Sequence, residues 1–205
     1  MPKIKLTKNE LKQQKDALKM YERYLPTLQL KKLQLQTEIR SIETRLHERA
    51  DLRDALLKET RAWMAVFGEE DQIRRNDGSW ILSVARIRTG VGNVAGVEIP
   101  VFEDAEFAQD DYDLFVKPLW VDRALARLKE ELRIDLELLI LREQIARLAQ
   151  ELRVTAQRVN LFEKVKIPET EENIRKIRIS LGDQQTAQVV RGKIAKRKVV
   201  ERSAA

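Results

Sequence analysis

Residues 11–67 read LKQQKDALKMYERYLPTLQLKKLQLQTEIRSIETRLHERADLRDALLKETRAWMAVF. Counted in sevens from Leu11, one row holds Leu11, Leu18, Leu25, Ile39, Leu46 and Phe67, and a second row three residues on holds Tyr21, Leu28, Leu35, Ile42, Leu56 and Trp63. Twelve of the seventeen slots are apolar, the exceptions being Gln14, Lys32, Arg49, Arg53 and Thr60. On a helix otherwise full of Lys, Glu, Gln and Arg, such a stripe buries itself along a partner helix. The partner comes later in the chain, where Leu138, Ile145, Leu152 and Val159 alternate with Ile134, Leu141, Leu148, Thr155 and Phe162. The fold expected is mainly α: a long antiparallel two-helix coiled coil formed by the N- and C-terminal segments, with a small β-hairpin/short-helix middle region. The segments divide as 1–67 for the first helix, 68–117 for the hairpin and acidic connector, and 118–205 for the second helix with its basic tail.

Composition agrees with a seam rather than a sphere. Charged residues make up 35% of the 205 and aromatics only 5%, which is lean for a compact core. There is no cysteine, so disulfides, thiolate metal sites and cysteine nucleophiles are excluded. No apolar run is long enough for a secretion signal or a membrane span, which places the chain in the cytoplasm or at a membrane periphery without direct insertion. Charge is uneven. Residues 1–19 carry six Lys against two acids, residues 191–205 six Lys or Arg against Glu201, and residues 64–115 four Arg against eleven acids. Folding the helices back on each other would put both basic segments at one end and the acidic middle at the other.

The first helix is expected to start near Thr7, with Glu10 completing a capping-box pattern, and to end near Phe67-Gly68. Pro26 lies inside the repeat and predicts a kink or a break; the repeat resumes in phase, which favours a kink. Asn76-Asp77-Gly78 and Thr89-Gly90-Val91-Gly92-Asn93 read as turns, Trp80–Val84 as strand, and Val97, Ile99 and Val101 as the alternating face of another strand. Pro118 suits the first turn of the returning helix. That helix is apolar over more than one stripe around Leu136, Leu138, Leu139, Ile140 and Leu141. Either something beyond the first helix packs there, the hairpin or a second protein, or the coiled-coil register shifts locally. Pro168 is expected to bend or interrupt the helix before a weaker stripe of Ile174, Ile177 and Leu181.

No constellation for catalysis emerges. His47, the single histidine, has no nucleophile spaced to pair with it and reads as a helix-surface residue. Gly90, Gly92 and Gly96 lack the dinucleotide spacing and the lysine of a phosphate loop, so a turn between strands explains them. Asp104, Glu106, Asp110, Asp111 and Asp113 lack calcium-loop spacing and read as a solvated acidic surface or a docking patch. The basic tail is not interleaved with aromatics as a nucleic-acid site would be. No catalytic residue, metal or cofactor is assigned. Partner contact is expected instead where apolar residues exceed the needs of the seam, at Leu136, Leu138, Ile140, Val97 and Ile99.

Several stretches resemble the D-subunit family of V/A-type (vacuolar/archaeal-type) rotary ATPases and ATP synthases, in its bacterial branch. Arg158-Val-Asn-Leu-Phe-Glu-Lys-Val-Lys-Ile-Pro-Glu-Thr170 is similar to the family signature, which falls here on Arg158, Val159, Asn160, Glu163, Ile167 and Pro168. Tyr24-Leu-Pro-Thr-Leu-Gln-Leu-Lys-Lys32, Gly96-Val-Glu-Ile-Pro100 and Trp120-Val-Asp122 resemble its other motifs, while Gly182-Asp-Gln-Gln-Thr-Ala-Gln188 departs from its charged run. The resemblance implies a non-catalytic central-stalk component transmitting torque between a catalytic hexamer and a membrane rotor ring. It implies as partners the catalytic and regulatory subunits of the hexamer, the small central-stalk F subunit at the side, and a funnel-shaped subunit on the ring. Together with the charge polarity, it places hexamer contact on Lys193, Lys196, Arg197 and Lys198. A free-standing prefoldin-like coiled-coil adaptor or chaperone is the alternative of another class.

Overall fold

The computed structural model describes residues 4–64, 80–113, 115 and 117–203. Among these residues, three α-helices and one hairpin follow in the order α1 (Lys8–Met64), β1 (Leu82–Val94), β2 (Val97–Gln109), α2 (Trp120–Leu161), a π-helical turn (Phe162–Lys166) and α3 (Ile167–Ser203). The architecture is mainly helical, with long N- and C-terminal helices and a two-stranded antiparallel hairpin between them. The expected Asn76-Asp77-Gly78 turn and the Phe67-Gly68 helix end lie outside the described residues. Two compact units divide the chain, one made of residues 1–32 with 154–205 and the other of residues 33–153.

α1 starts where the capping pattern places it. The Glu10 amide donates to the Thr7 hydroxyl at 3.3 Å, although the Glu10 carboxylate turns to accept from Gln14 instead of completing the box. Pro26 does not break the helix: α1 runs through it for 57 residues, about 85 Å at 1.5 Å per residue.

In the 33–153 unit, α1 and α2 run antiparallel. Leu35 and Ile42 of α1 bury against Leu141 and Leu148 of α2, with Ile39, Leu46, Ile145 and Leu152 at the margins. Further along, the polar exceptions in the repeat find acids on α2. Arg49 pairs with Glu137 at 3.1 Å, Arg53 with Asp135 at 2.8 Å, and the Thr60 hydroxyl donates to Glu131 at 2.6 Å. Arg49 and Arg53 stay at the seam because a long side chain lays its stem along it and takes its head to a partner.

The hairpin folds back along α2. Its strands pair from Leu82↔Gln109 to Val94↔Val97, with Ala85 of β1 and Glu103 of β2 each left over at a bulge, so the two irregularities offset each other. The turn is the two-residue loop Ala95-Gly96, both with positive φ, and the Gly96 amide donates to Asn93 Oδ1 at 3.0 Å. This corrects the reading of 89–93 as a turn. Gly90 and Gly92 lie inside β1, where a Cβ on Gly92 would come 3.0 Å from Val101 Cγ2 and 3.3 Å from Ile99 Cγ1. The glycines make room for side chains that cross from β2.

Thirteen residues per strand span about 43 Å, and Val121 to Leu148 of α2 spans about 40 Å. The hairpin base therefore packs on the first turns of α2, where Ile81, Leu82, Val121, Ala124 and Leu125 are buried together. Its tip reaches the Leu141–Leu148 region through Ile99, Val94 and Val97.

Candidate functional site

The surplus apolar surface on α2 is where the strongest expectation of partner contact fell, and much of it is taken up within the chain. Gln144, 3% exposed, donates its amide to the Pro100 carbonyl; Arg133 pairs with Asp104; Lys129 donates to Gln109 Oε1 at 2.7 Å. Lys129, Arg133, Leu136, Ile140 and Gln144 follow helical spacing and share one side of α2, which the hairpin runs along. The extra stripe thus exists because α2 serves two neighbours, α1 on one side and the hairpin on another. Leu125 and Leu132, seven residues apart on α2, pack against the hairpin base. Leu139, seven residues further on, is 58% exposed.

The named contact residues separate accordingly. Leu138 and Ile99 are buried within the 33–153 unit. Leu136, Ile140 and Val97 are half-buried, each keeping part of its surface open. Leu139 was noted as part of the apolar run but not assigned to contact, and it is the large apolar side chain of that run most open to solvent. Its signal was its place one residue off the seam rows.

Ion pairs within the hairpin and one from it to α2 accompany its apolar packing. Asp104 lies between Arg88, at 2.6 Å, and Arg133, and Arg88 also reaches Glu106 at 3.6 Å. The hydrogen bond from Arg88, then that from the Ala105 amide, keeps the Asp104 carboxyl below the usual carboxylate range. Asp104 and Glu106, two acids of the Asp104–Asp113 run, are thus engaged with arginines. Among the described residues no group of three or more His, Cys, Asp or Glu is placed to hold a metal ion. At the hairpin base, burial and a hydrogen bond donated to Asp122 push the Tyr112 hydroxyl up to about 12.

In the unit of residues 1–32 and 154–205, the signature residues gather around the π turn. Val159 is buried, Ile167 is half-buried, and Arg158, Asn160, Glu163 and Pro168 are exposed. Pro168 does not end the helix. The ladder widens before it, the Ile167 amide bonding back to the Phe162 carbonyl, and α3 continues to Ser203. Phe162 meets Tyr21 of α1 with ring centroids 5.2 Å apart. A groove of about 620 Å³ runs between α1 and α3, lined by Lys5, Gln14 and Ala17 on one side and by Lys166, Thr170 and Asn173 on the other. Nearby, Arg175 bonds Glu172 through two nitrogens at 2.7 and 2.8 Å, which with Lys176 lowers the Glu172 carboxyl to about 2.

From Gly182 to Glu201 every side chain of α3 is exposed. This stretch presents Val189, Val190, Ile194, Val199 and Val200 together with Lys193, Lys196, Arg197 and Lys198. Arg197 pairs with Glu201 at 3.3 Å along the helix, a fully solvated contact. Some twenty residues of helix without a buried face are marginal on their own in water. Both basic segments of the sequence belong to this same unit. No helix among the described residues is long and apolar enough to cross a membrane.

Residues 10–197 match the family described as the D subunit of ATP synthase. The D subunit of the V-type ATP synthase of Borreliella burgdorferi is 50% identical over 204 residues, covering 99% of this chain and 98% of the relative. Its counterpart in Chlamydia trachomatis is 36% identical over 198 residues, 96% of each chain, and that of Chlamydia abortus 34% identical over 203, covering 97% and 95%.

Proposed function

The chain belongs to the ATP synthase D-subunit family, and on that premise we propose that it is the central-stalk shaft of a V/A-type rotary ATPase, carrying torque between the catalytic hexamer and the membrane rotor ring. The observation that carries this reading is the seam. One 57-residue helix keeps a single heptad phase from Leu11 to Thr60, and α2 lies antiparallel to it, crossed by ion pairs. A paired helix resists twisting in a way a single one does not, because turning one helix against the other would pull apolar side chains out of their slots.

The shaft itself hydrolyses nothing. As an asymmetric axle inside a ring it makes the ring's catalytic sites differ, and turning it drives them through their states in succession. The exposed α3 segment with Lys193, Lys196, Arg197 and Lys198 is the part that meets the catalytic and regulatory subunits, its cations engaging carboxylates and its valines apolar loops. Leu136, Ile140 and Val97, with Leu139 beside them, offer the open apolar surface for the small F subunit and for the funnel-shaped adaptor on the ring. Leu138 and Ile99, buried within the chain, position that surface from below. The protein works at the cytoplasmic side as a peripheral part of the complex.

Reconstitution with the partner subunits tests this. Co-purification with the catalytic subunits and ATP-driven rotation of a probe fixed to this chain are expected. Stable behaviour alone, with no capture by those subunits, would instead favour a free-standing coiled-coil adaptor.

A further inference from the structure

The returning helix carries one residue more than its partner requires. In the unit of residues 1–32 and 154–205, its buried side chains are Thr155 and Val159 before the π turn and Thr170, Ile174 and Ile177 after it. Positions 155 and 170, like 159 and 174, stand fifteen apart, one more than two heptads. α1 shows no matching slip: Leu11, Gln14, Leu18, Tyr21, Leu25 and Leu28 keep strict phase and all are half-buried.

An uninterrupted α-helix would turn about 100° for the additional residue and carry Thr170, Ile174 and Ile177 off the seam. The π turn absorbs it. From Phe162 to Lys166 the ladder runs to the fifth residue, closing with the Ile167 amide on the Phe162 carbonyl, and a single such turn takes up one residue.

The turn is pinned at both ends and loose between. Phe162 stacks near Tyr21, and the Thr170 hydroxyl donates to the Lys166 carbonyl at 2.6 Å. None of its five residues is buried, and Pro168 just beyond it has no amide to return to the ladder. Both α-helical flanks are held by buried side chains, whereas the turn has no core of its own.

We propose that Phe162–Lys166 is a torsional joint: a one-residue insertion, held as a π turn, at which the helix yields in twist while the seams on either side stay in phase. If the chain turns inside an ATPase, twist collects here; that consequence rests on the proposed function, but the joint itself does not.

Hydrogen exchange on the full chain is the test, read together with the melting of two variants. In the wild type, amides of residues 163–167 should exchange at least about tenfold faster than those at 155–159 and 174–177. Deleting the exposed Lys164 should restore a continuous α-helix with the seam in phase, abolish the fast exchange and leave the melting temperature no lower than wild type. Inserting one Ala after Lys164 should add a second slip and lower it. Uniform protection across 155–177 in the wild type overturns the proposal, as does a deletion variant that melts below wild type or fails to fold. Because the chain is measured alone, the result is independent of whether it serves in a rotor.

Discussion

Single side chains decide how the hairpin is attached, and their titration makes that visible. Asp104 has a carboxyl pKa lowered by its bond from Arg88, so its contribution is present above the ordinary carboxylate range and is lost as pH falls through the lowered value. Hairpin amides should therefore lose protection on strong acidification, and Asp104→Asn should show the same loss near neutral pH, measured by hydrogen exchange. Tyr112 runs the other way. Its hydroxyl is raised to about 12, so the folded state holds its proton longer and stability declines as pH climbs from 10 towards 12. Tyr112 should ionise late in an ultraviolet titration, and Tyr112→Phe should remove that step. Gly92→Ala would press a methyl group on Val101 and Ile99, at an expected loss of about 1–3 kcal/mol in denaturant unfolding.

Within an element, neighbouring positions carry opposite consequences. Leu138 is 2% exposed and Leu139 58%. Leu138→Ala should therefore cost about 2–5 kcal/mol of stability, whereas Leu139→Ala should stay within about 0.5 kcal/mol and, on the proposed function, weaken capture of the side subunit instead. Equal melting of the two variants would mean that α2 is turned differently from the arrangement described. The heptad rows were legible from Leu11 onward because a buried stripe leaves a period in the sequence, and even the polar exceptions could be located. What they paired with was not legible: nothing in Arg53 or Asp135 alone says that they stand 2.8 Å apart. The hairpin turn was misplaced for a similar reason. Glycine marks both tight turns and crowded strands, and only the side chains of Ile99 and Val101 opposite Gly92 tell the two apart.

For the whole molecule the critical question is what the exposed end of α3 does. Truncation before Arg191 removes no buried side chain among the described residues, so helicity of the remainder and its melting should change little. If the shaft reading holds, the truncated chain assembles but transmits less torque, and replacing Lys193, Lys196, Arg197 and Lys198 together with neutral residues does part of the same, more visibly at high salt where residual ionic contacts are screened. Single-molecule rotation of the reconstituted complex measures this, and unchanged torque would confine those cations to solubility or assembly.

Sequence pattern was enough to establish the two long amphipathic helices, their antiparallel pairing, the presence of a hairpin between them and the family to which the chain belongs. All of these rest on periods and motifs that neighbouring residues carry locally. It took the folded chain to establish that the second apolar face of α2 is covered by the chain's own hairpin, and that the helix at Pro168 continues by widening one turn. Both outcomes depend on contacts between residues far apart in sequence. A stripe records that it must be buried but not by what, and a proline records a missing amide. The phase of the opposing helix then sets how the backbone accommodates that loss.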